Sequence, residues 1–284
     1  MMIKRMIVKI LAVVIIISML PDMAEAQLKR ERAVTTVLAD PAFRATKNVG
    51  ISTTVNPSAG DLHYSILHTF GLVGGGIDRF YGLDDGANTR LGLLYGISDQ
   101  ISLGLGRMTF RKVVDISTKI NLVKQTKNNK RPLSVALKVA TGISTVSGQG
   151  LNFDERLSYF TSVMFARRFH TVGIQLTPMY SYFNRVLGED EQHLIGLGAL
   201  INVDLNDRFT LSWEYLPVFG NRNPGTNDAM AVALNIDTGG HVFQIFFASS
   251  QWHNEQFIMA NNSDRFWEGD FRFGFNIHRV FGLF

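Results

Sequence analysis

Cysteine is absent from the 284 residues of this sequence. Without a thiol, the chain can form no disulfide, no thiolate nucleophile, no cysteine-ligated metal site and no lipid-modified cysteine at a mature N-terminus. A small secreted domain held together by disulfides is therefore excluded. Stability has to come from a ladder of backbone hydrogen bonds or from a large core.

Long apolar runs are also missing after residue 26. The mean hydropathy of +0.08 is nevertheless high for a chain in which 18% of the residues are charged. The apolar residues alternate with polar ones instead of gathering in blocks. This distribution favours a membrane β-barrel over a bundle of membrane-spanning helices.

A large excess of charge of one sign is lacking as well, because 28 Lys and Arg residues face 24 Asp and Glu residues, for a net charge of +4. The densest basic patch, residues 126–131 (TKNNKR), lies in a predicted turn. We interpret it as a solvated turn, and we predict no nucleic-acid partner.

The first 26 residues have the pattern of a secretory signal peptide. Positive charges precede an apolar run at residues 10–20, and a small-residue motif ends at Ala26. The apolar run is too short for a spanning helix, which needs roughly 20 residues. Cleavage after Ala26 would make Gln27 the mature N-terminus; an uncleaved anchor helix is the alternative. Residues 27–60 are polar and irregular, and we expect them to lie in the periplasm or to fold into a barrel lumen.

The remaining residues, 61–284, contain twelve runs with strand character. Most have the length of a tilted spanning strand, about 9–11 residues. Short connections mostly alternate with long ones, as periplasmic turns and external loops do in outer-membrane barrels. The runs are residues 62–70, 89–97, 100–108, 113–125, 133–144, 156–167, 172–183, 193–204, 209–217, 229–236, 242–249 and 270–281.

This pattern predicts an all-β fold, an antiparallel transmembrane β-barrel of about 12 strands in the outer membrane of a Gram-negative bacterium. An even strand number returns the C-terminus to the periplasm. A soluble periplasmic β protein is the alternative, because a soluble sandwich also alternates apolar and polar residues. The expected partners of the barrel are outer-membrane lipid and the barrel-assembly machinery.

The last strand shows the alternation most clearly. One face carries bulky apolar residues, and the other face carries Arg272, Gly274, Asn276 and His278. Outer-membrane barrels commonly end on an aromatic residue in phase with the apolar face, and Phe284 is out of that phase. The predicted assembly signal is therefore Phe273, Phe275, Ile277 and Phe281.

Several segments carry a resemblance to a known family: residues 68–71 (HTFG), 79–84 (RFYGLD), 90–99 (RLGLLYGISD), 237–244 (DTGGHVFQ) and 274–281 (GFNIHRVF). Together they resemble a family of predicted membrane-bound outer-membrane β-barrels of unknown function from Gram-negative bacteria, over roughly residues 43–281. The resemblance implies the fold and the location. It implies no substrate.

Charged residues in the inward phase of the strands are the candidate functional side chains. They could form a structural lattice of opposite charges or a charged constriction that selects solutes. Basic members outnumber acidic ones, which would favour anions weakly. The candidates are Arg90, Asp115, Lys119, Lys138, Arg156, Glu214 and Arg272.

Three functional hypotheses remain open. Many inward positions are Gly, Ala or Ser, so the first is a narrow channel for small polar solutes, unless residues 72–88, residues 250–269 or the extension form a plug. The second is a closed structural or docking barrel in an envelope protein complex. The third is an outer-membrane hydrolase using His68, although no serine lies in a nucleophile motif. We predict no enzyme activity, no cofactor and no metal site.

Overall fold

A computed structural model describes residues 37–283 of the chain. The predicted signal peptide, its cleavage after Ala26, residues 27–36 of the extension and Phe284 lie outside the described residues. Within residues 37–283, no helix is both long and apolar enough to cross a membrane. Strands dominate the described part of the chain, and they form one continuous antiparallel sheet.

Thirteen strands follow one another within residues 37–283. They are β1 (Asp61–Leu72), β2 (Asn88–Gly96), β3 (Ile101–Met108), β4 (Val113–Val123), β5 (Ser134–Ser144), β6 (Leu157–Phe169), β7 (Val172–Phe183), β8 (His193–Asp204), β9 (Phe209–Leu216), β10 (Val218–Phe219), β11 (Ala229–Asp237), β12 (His241–Ala248) and β13 (Arg272–Gly282). The helical elements are short. They are α1 (Glu255–Asn261) and the 3-10 turns Val73–Gly75, Ile77–Asp85, Phe110–Lys112, Asp154–Arg156 and Phe266–Glu268.

The sheet closes on itself. From β1 to β9 each strand pairs with the next, β9 pairs with β11, and the pairings β11–β12, β12–β13 and β13–β1 complete the ring. Strand β10 continues β9 beyond Pro217 and pairs with β8, so the wall contains twelve strands. Proline lacks the N–H group that the ladder requires, which explains the interruption. The prediction of a twelve-strand antiparallel barrel is confirmed.

The predicted strand limits agree with the structure to within about two residues, the usual uncertainty of strand ends. One difference affects a candidate residue. Arg156, expected as the first residue of the sixth strand, ends the 3-10 turn Asp154–Arg156, and β6 begins at Leu157. Its Nη1 donates hydrogen bonds to the carbonyl oxygens of Ser144 (3.3 Å) and Val146 (2.6 Å). Arg156 therefore braces the rim of the barrel instead of its wall.

The two faces of the wall differ in polarity in the sense opposite to that of a soluble protein. In β3, Leu103 and Leu105 are 46% and 51% exposed on the outside, while Ser102 is buried on the inside. The same alternation runs through β2, β4, β7 and β13. A soluble sandwich would bury the leucines. The apolar face of the wall points outward, which contradicts the alternative of a soluble periplasmic protein.

The interior of the barrel is occupied by two segments, which we call together the plug. The first, the lumenal segment, is residues 39–60; it contains a tight turn in which Asn48 N–H donates to the carbonyl of Ile51 (2.9 Å). The second, the lumenal loop, is residues 250–262 and includes α1. Phe43 and Ile51 of the lumenal segment and Met259 of the lumenal loop are buried in one apolar cluster with wall residues.

Small residues on the inner face make room for the plug. A Cβ atom added at Gly96 would lie 2.0 Å from the carbonyl oxygen of Ser58, and one at Gly173 would lie 2.0 Å from that of Ala42. Such distances are far inside van der Waals contact. The small inward residues were expected to leave space for solutes, but in the structure backbone of the lumenal segment takes up much of that space.

Of the segments that could have plugged the barrel, residues 72–88 do not. Ile77, Phe80 and Tyr81 in this loop are all more than half exposed. The loop lies outside the bore at the end where the connections are mostly long. Residues 39–60 of the extension and residues 250–262 of the second predicted segment supply the plug.

Candidate functional site: a lumen closed by two inserted segments

Glu255, at the start of α1, is the centre of the charged contacts inside the barrel. Its side chain is 2% exposed and accepts hydrogen bonds from the Ser52 hydroxyl (2.6 Å) and backbone N–H (2.9 Å). Lys138 Nζ of β5 lies 3.0 Å from one carboxylate oxygen, and Lys47 Nζ lies 3.4 Å from the same oxygen. One carboxylate thus joins the lumenal segment, the lumenal loop and the wall.

Burial by itself opposes the ionisation of Glu255. The positive charges of Lys138 and Lys47 and the hydrogen bonds from Ser52 outweigh that effect, and they hold the pKa of Glu255 well below its usual range. The carboxylate is therefore ionised, which is the form that the two lysine contacts require and that the hydrogen bonds from Ser52 favour.

Lys119, in β4, binds the lumenal segment through backbone oxygens alone. Its Nζ donates to the carbonyl oxygens of Val55, Thr53 (3.0 Å) and Thr46 (3.5 Å). No carboxylate lies within ion-pair distance of this ammonium in the described part of the chain. Carbonyl dipoles therefore replace the water that would otherwise solvate the charge.

Glu214, in β9, holds the turn of the lumenal segment from the opposite side of the barrel. It accepts hydrogen bonds from the Gly50 N–H (2.7 Å) and from Asn48 Nδ2 (3.1 Å). The tight turn at residues 48–51 presents these two donors together. Like Lys119 and Lys138, Glu214 has its polar partners on the plug.

Arg90 and Asp115 form an ion pair within the wall. Arg90 Nη2 of β2 lies 2.5 Å from Asp115 Oδ2 of β4, and Nε donates to Oδ1 at 3.1 Å. The lumenal loop adds a third partner, because Asn254 Nδ2 donates to Asp115 Oδ1 (3.1 Å). This bidentate pair would remain intact if the plug were absent.

Arg272, the last of the predicted lumen candidates, lies at the start of β13. Its Nη1 donates to the carbonyl of Ser249 (2.7 Å) and pairs with the carboxylate of Asp264. It is buried near the long-loop end of the bore and anchors both ends of the connection that carries the lumenal loop. The charged candidates therefore fall into a central group of five and two rim residues, Arg156 and Arg272.

Sequence reasoning missed the plug's own polar residues. Lys47, Ser52, Asn254 and Glu255 lie in segments without periodicity, where no pattern indicates which way a side chain points. The only available signal was the presence of a buried-type apolar run, residues 257–260 (FIMA), inside a predicted external loop. This run identifies a segment whose apolar side chains have to be buried, but the sequence does not indicate which residues bury them.

Open space lies at both ends of the bore. A cavity of about 700 Å³ at the long-loop end lies between the loop that follows β1 and Arg272, and another of about 250 Å³ lies at the short-turn end. Between them, a cavity of about 70 Å³ is bordered by Lys47, Lys119 and Glu255. A water needs roughly 10–15 Å³ of such space, so the central cavity admits a few waters and no larger solute.

His68 lies on the outer face of β1. Its Nδ1 and the hydroxyl of Thr89 are 2.8 Å apart, and its ring stacks on Phe275 with centroids 5.0 Å apart. Within residues 37–283, no serine hydroxyl is hydrogen-bonded to this histidine, and no group of three or more His, Asp or Glu side chains is placed to hold a metal ion. These contacts do not assemble a hydrolytic site around His68.

The predicted assembly-signal residues share the outer face of β13. Phe273, Phe275 and Ile277 alternate with buried polar residues, and the guanidinium of Arg279 lies 4.5 Å from the ring centroid of Phe281. Arg279 interrupts the apolar face, but its aliphatic stem covers part of that face and its guanidinium makes a cation–π contact with Phe281. The role of these residues in assembly remains a prediction.

The chain belongs to a family of β-barrel proteins. The family described as "Membrane bound beta barrel domain (DUF5777)" matches residues 43–281. No curated protein matches the sequence. Among solved structures, the COG4313 outer membrane channel from Pseudomonas putida F1 is similar, with 11% identity and a TM-score of 0.52 over 80% of this chain and 97% of that chain.

Two other solved structures are more distant. The NanC porin shares 11% identity, with a TM-score of 0.46 over 78% of this chain and 97% of that chain. LpxR from Salmonella typhimurium shares 12% identity, with a TM-score of 0.37 over 78% of this chain and 99% of that chain. At such identities the likeness concerns the fold alone. The protein is an outer-membrane β-barrel, so its outward apolar face contacts lipid.

Proposed function

We propose that this outer-membrane barrel is a gated channel for small polar solutes, and that the arrangement described is its closed state. The plug closes the bore, and displacement of the plug would open it. The proposal rests on one observation: three of the five charged side chains of the wall behind the plug, Lys119, Lys138 and Glu214, are satisfied by polar atoms of the plug, as they would be by water.

Lys119, Lys138 and Glu214 carry this argument. Each projects from a wall strand, and the polar contacts described above lie on the lumenal segment or the lumenal loop. A buried charge that loses its partners is costly in a dry interior. Withdrawal of the plug therefore favours entry of water, and the exposed wall would be hydrated and charged.

The charge of the exposed wall indicates its selectivity. Arg90, Lys119 and Lys138 are cationic, and Asp115 and Glu214 are anionic, so three positive charges against two negative charges leave one positive charge in excess. A weak preference for anions follows. Twelve tilted strands enclose a backbone diameter of about 24 Å, and side chains reduce it by roughly 10 Å, which suits small solutes.

Recordings in planar bilayers test the proposal. The full chain is compared with a variant in which both carboxylates that hold the plug are neutralised, Glu214→Gln with Glu255→Gln. We expect rare openings from the parent chain and frequent, anion-preferring openings from the variant. Glu189→Gln, the same change at an exposed loop residue, is the matched control and should behave like the parent.

The selectivity has its own measurement. Adding Lys119→Gln to the open variant should move the reversal potential in a salt gradient toward zero, because one wall cation is lost. A doubly neutralised barrel that is folded, as judged by heat-modifiable migration in a detergent gel, and yet remains electrically silent would contradict the channel proposal.

A second candidate is a permanently closed barrel that docks an envelope protein. The observation in its favour is the apolar part of the plug, because Phe43, Ile51 and Met259 are buried with wall residues like an ordinary core. The same recordings separate the two candidates. Silence of the doubly neutralised variant, together with retention of a partner protein in detergent extracts, would support the docking barrel.

A further inference from the structure

A cleft on the outside of the barrel is independent of the lumen. It has a volume of about 450 Å³, within the roughly 300–1,000 Å³ range of ligand sites. Its apolar lining comes from Trp213 and Tyr215 of β9, Met230 of β11, and Phe266 and Trp267 of a 3-10 turn. The Trp213 and Tyr215 rings stack with centroids 5.9 Å apart and form one wall of the cleft.

The other wall is a loop that folds back over the lipid-facing surface. The turn Phe266–Glu268, which we call the flap, contacts β11. Met230 belongs to the outward phase of β11, yet it is only 5% exposed, while Trp267 at the edge of the flap is 81% exposed. This external loop therefore packs against the outer face of the wall instead of lying over the mouth.

The flap is continuous with the aromatic surface that contacts lipid. Phe266 lies 5.4 Å from Phe271 between ring centroids, and Phe271 lies 5.5 Å from Phe247 on the outer face of β12. Phe247 in turn lies 5.9 Å from Phe273 on β13. The cleft therefore opens into the same apolar belt and does not form a separate aqueous pocket.

Polar groups lie together at one border of the cleft. Tyr215 donates its hydroxyl hydrogen to Asp228 Oδ2 (2.7 Å), and Arg265 Nη1 lies 2.8 Å from Glu268 Oε1. These groups are paired among themselves, so they require no polar ligand. What remains without a protein partner is the aromatic and thioether surface between the flap and β9.

We propose that this cleft binds one acyl chain of a lipid of the surrounding membrane. The walls are apolar, the cleft opens into the lipid-facing belt, and its charged groups are already satisfied. Aromatic side chains are rigid and lose little conformational entropy when a ligand contacts them. They therefore form a surface on which a flexible acyl chain can become ordered. The flap would hold the chain against β9 and distinguish it from the lipid that exchanges freely around the barrel.

The distribution of tryptophan allows a direct test. The chain has three Trp residues, and Trp252 is buried in the lumen, while Trp213 and Trp267 line the cleft. With Trp252→Phe and Trp267→Phe, Trp213 is the single reporter. The full-length protein is placed in vesicles of phosphatidylcholine that contain a small fraction of acyl-brominated phosphatidylcholine, and quenching of Trp213 is measured.

A matched control reporter is available at the corresponding position of another strand. Leu105 is the fifth residue of β3, as Trp213 is the fifth of β9, and both face outward. In the control all three tryptophans are replaced by Phe, and Leu105→Trp is introduced. If an acyl chain is bound in the cleft, quenching of Trp213 should rise with the fraction of brominated lipid at least about twice as steeply as quenching of the control reporter. A twofold preference of this kind corresponds to a twofold ratio of the dissociation constants for lipid at the two positions.

Removal of the flap ring completes the design. Phe266→Ala should reduce the quenching of Trp213 to that of the control reporter. Trp213 quenched no more than the control, or quenched equally with and without Phe266, would overturn the proposal. Native mass spectrometry of the unsubstituted chain gives a second measurement: we expect one retained phospholipid after delipidation in detergent, and retention of none would also refute the acyl-chain site.

Discussion

Replacing Glu255 by Gln is the sharpest perturbation of the plug. The substitution keeps the size of the side chain and removes the charge that joins Lys47, Lys138 and Ser52. Both lysines would then be buried without a carboxylate partner. Breaking a buried ion pair by removing one member typically costs about 3–5 kcal/mol. We expect the free energy of unfolding to fall by about that amount, less whatever is recovered when water enters around a loosened plug.

The assay is unfolding by urea in lipid vesicles, followed by tryptophan fluorescence and by migration in a detergent gel. The midpoint and the slope give the free energy of unfolding. Glu189→Gln is again the matched control, because an exposed glutamate should change stability by less than about 0.5 kcal/mol. Combining Glu255→Gln with Lys138→Met should cost less than the sum of the two single changes, since the residues interact directly.

The pH dependence of the free energy of unfolding tests the same role of Glu255. The pKa of Glu255 is lower in the folded protein than its ordinary value of 4.5, so its contribution is fully present above that pH. The contribution is lost as the pH falls below 4.5, where the unfolded chain takes up the proton first. The loss of stability below pH 4.5 should be smaller in the Glu255→Gln variant. If the free energy of unfolding of Glu255→Gln stayed within about 1 kcal/mol of the parent value, and its stability fell below pH 4.5 as that of the parent does, Glu255 would not be the main residue that holds the plug.

Three further outcomes are expected. Gly96→Ala should displace the lumenal segment and raise its protease sensitivity, because the new Cβ would meet the Ser58 carbonyl at 2.0 Å; Gly74→Ala, with no atom within 4 Å, should have no effect. Burial lowers the pKa of His253 to about 3, so stability should decrease as the pH falls from 6.5 toward 3, where only the unfolded chain binds the proton, and His253→Gln should reduce that decrease in urea titrations. Mass spectrometry of the protein from outer membranes should give Gln27 as the first residue; an intact N-terminus would show the anchor alternative to be right.

The wall of the barrel was predictable residue by residue, for a local physical reason. A strand with one face on lipid and one on polar groups repeats every two residues, so Leu103 and Leu105 are assigned outward by their neighbours in sequence alone. The even number of strands follows because an all-antiparallel ring closes only with an even count, and the mostly alternating loop lengths follow from short turns on one side of the membrane and longer loops on the other. Arg156 differs only in its element: it ends the turn before β6, where the periodic environment of the wall has not yet begun.

What fills the barrel was not predictable in this way. The sequence offered the extension, residues 72–88 and residues 250–269 as possible plugs without choosing among them. The lumenal segment meets its partners across great separations: Ser52 and Glu255 are 203 positions apart, and Gly50 and Glu214 are 164 apart. Nothing local in either segment encodes the other.

The closed wall, its lipid-facing and inward faces and the charges it carries could be predicted from the sequence, since the two-residue period of a strand is visible in adjacent residues. That the small inward residues pack against peptide instead of solute became apparent only in the folded structure. It alone placed Lys119 against carbonyl oxygens and Lys138 against Glu255. Those choices depend on which distant segments fit the closed space and can satisfy its buried charges, and that complementarity exists only once the wall has closed.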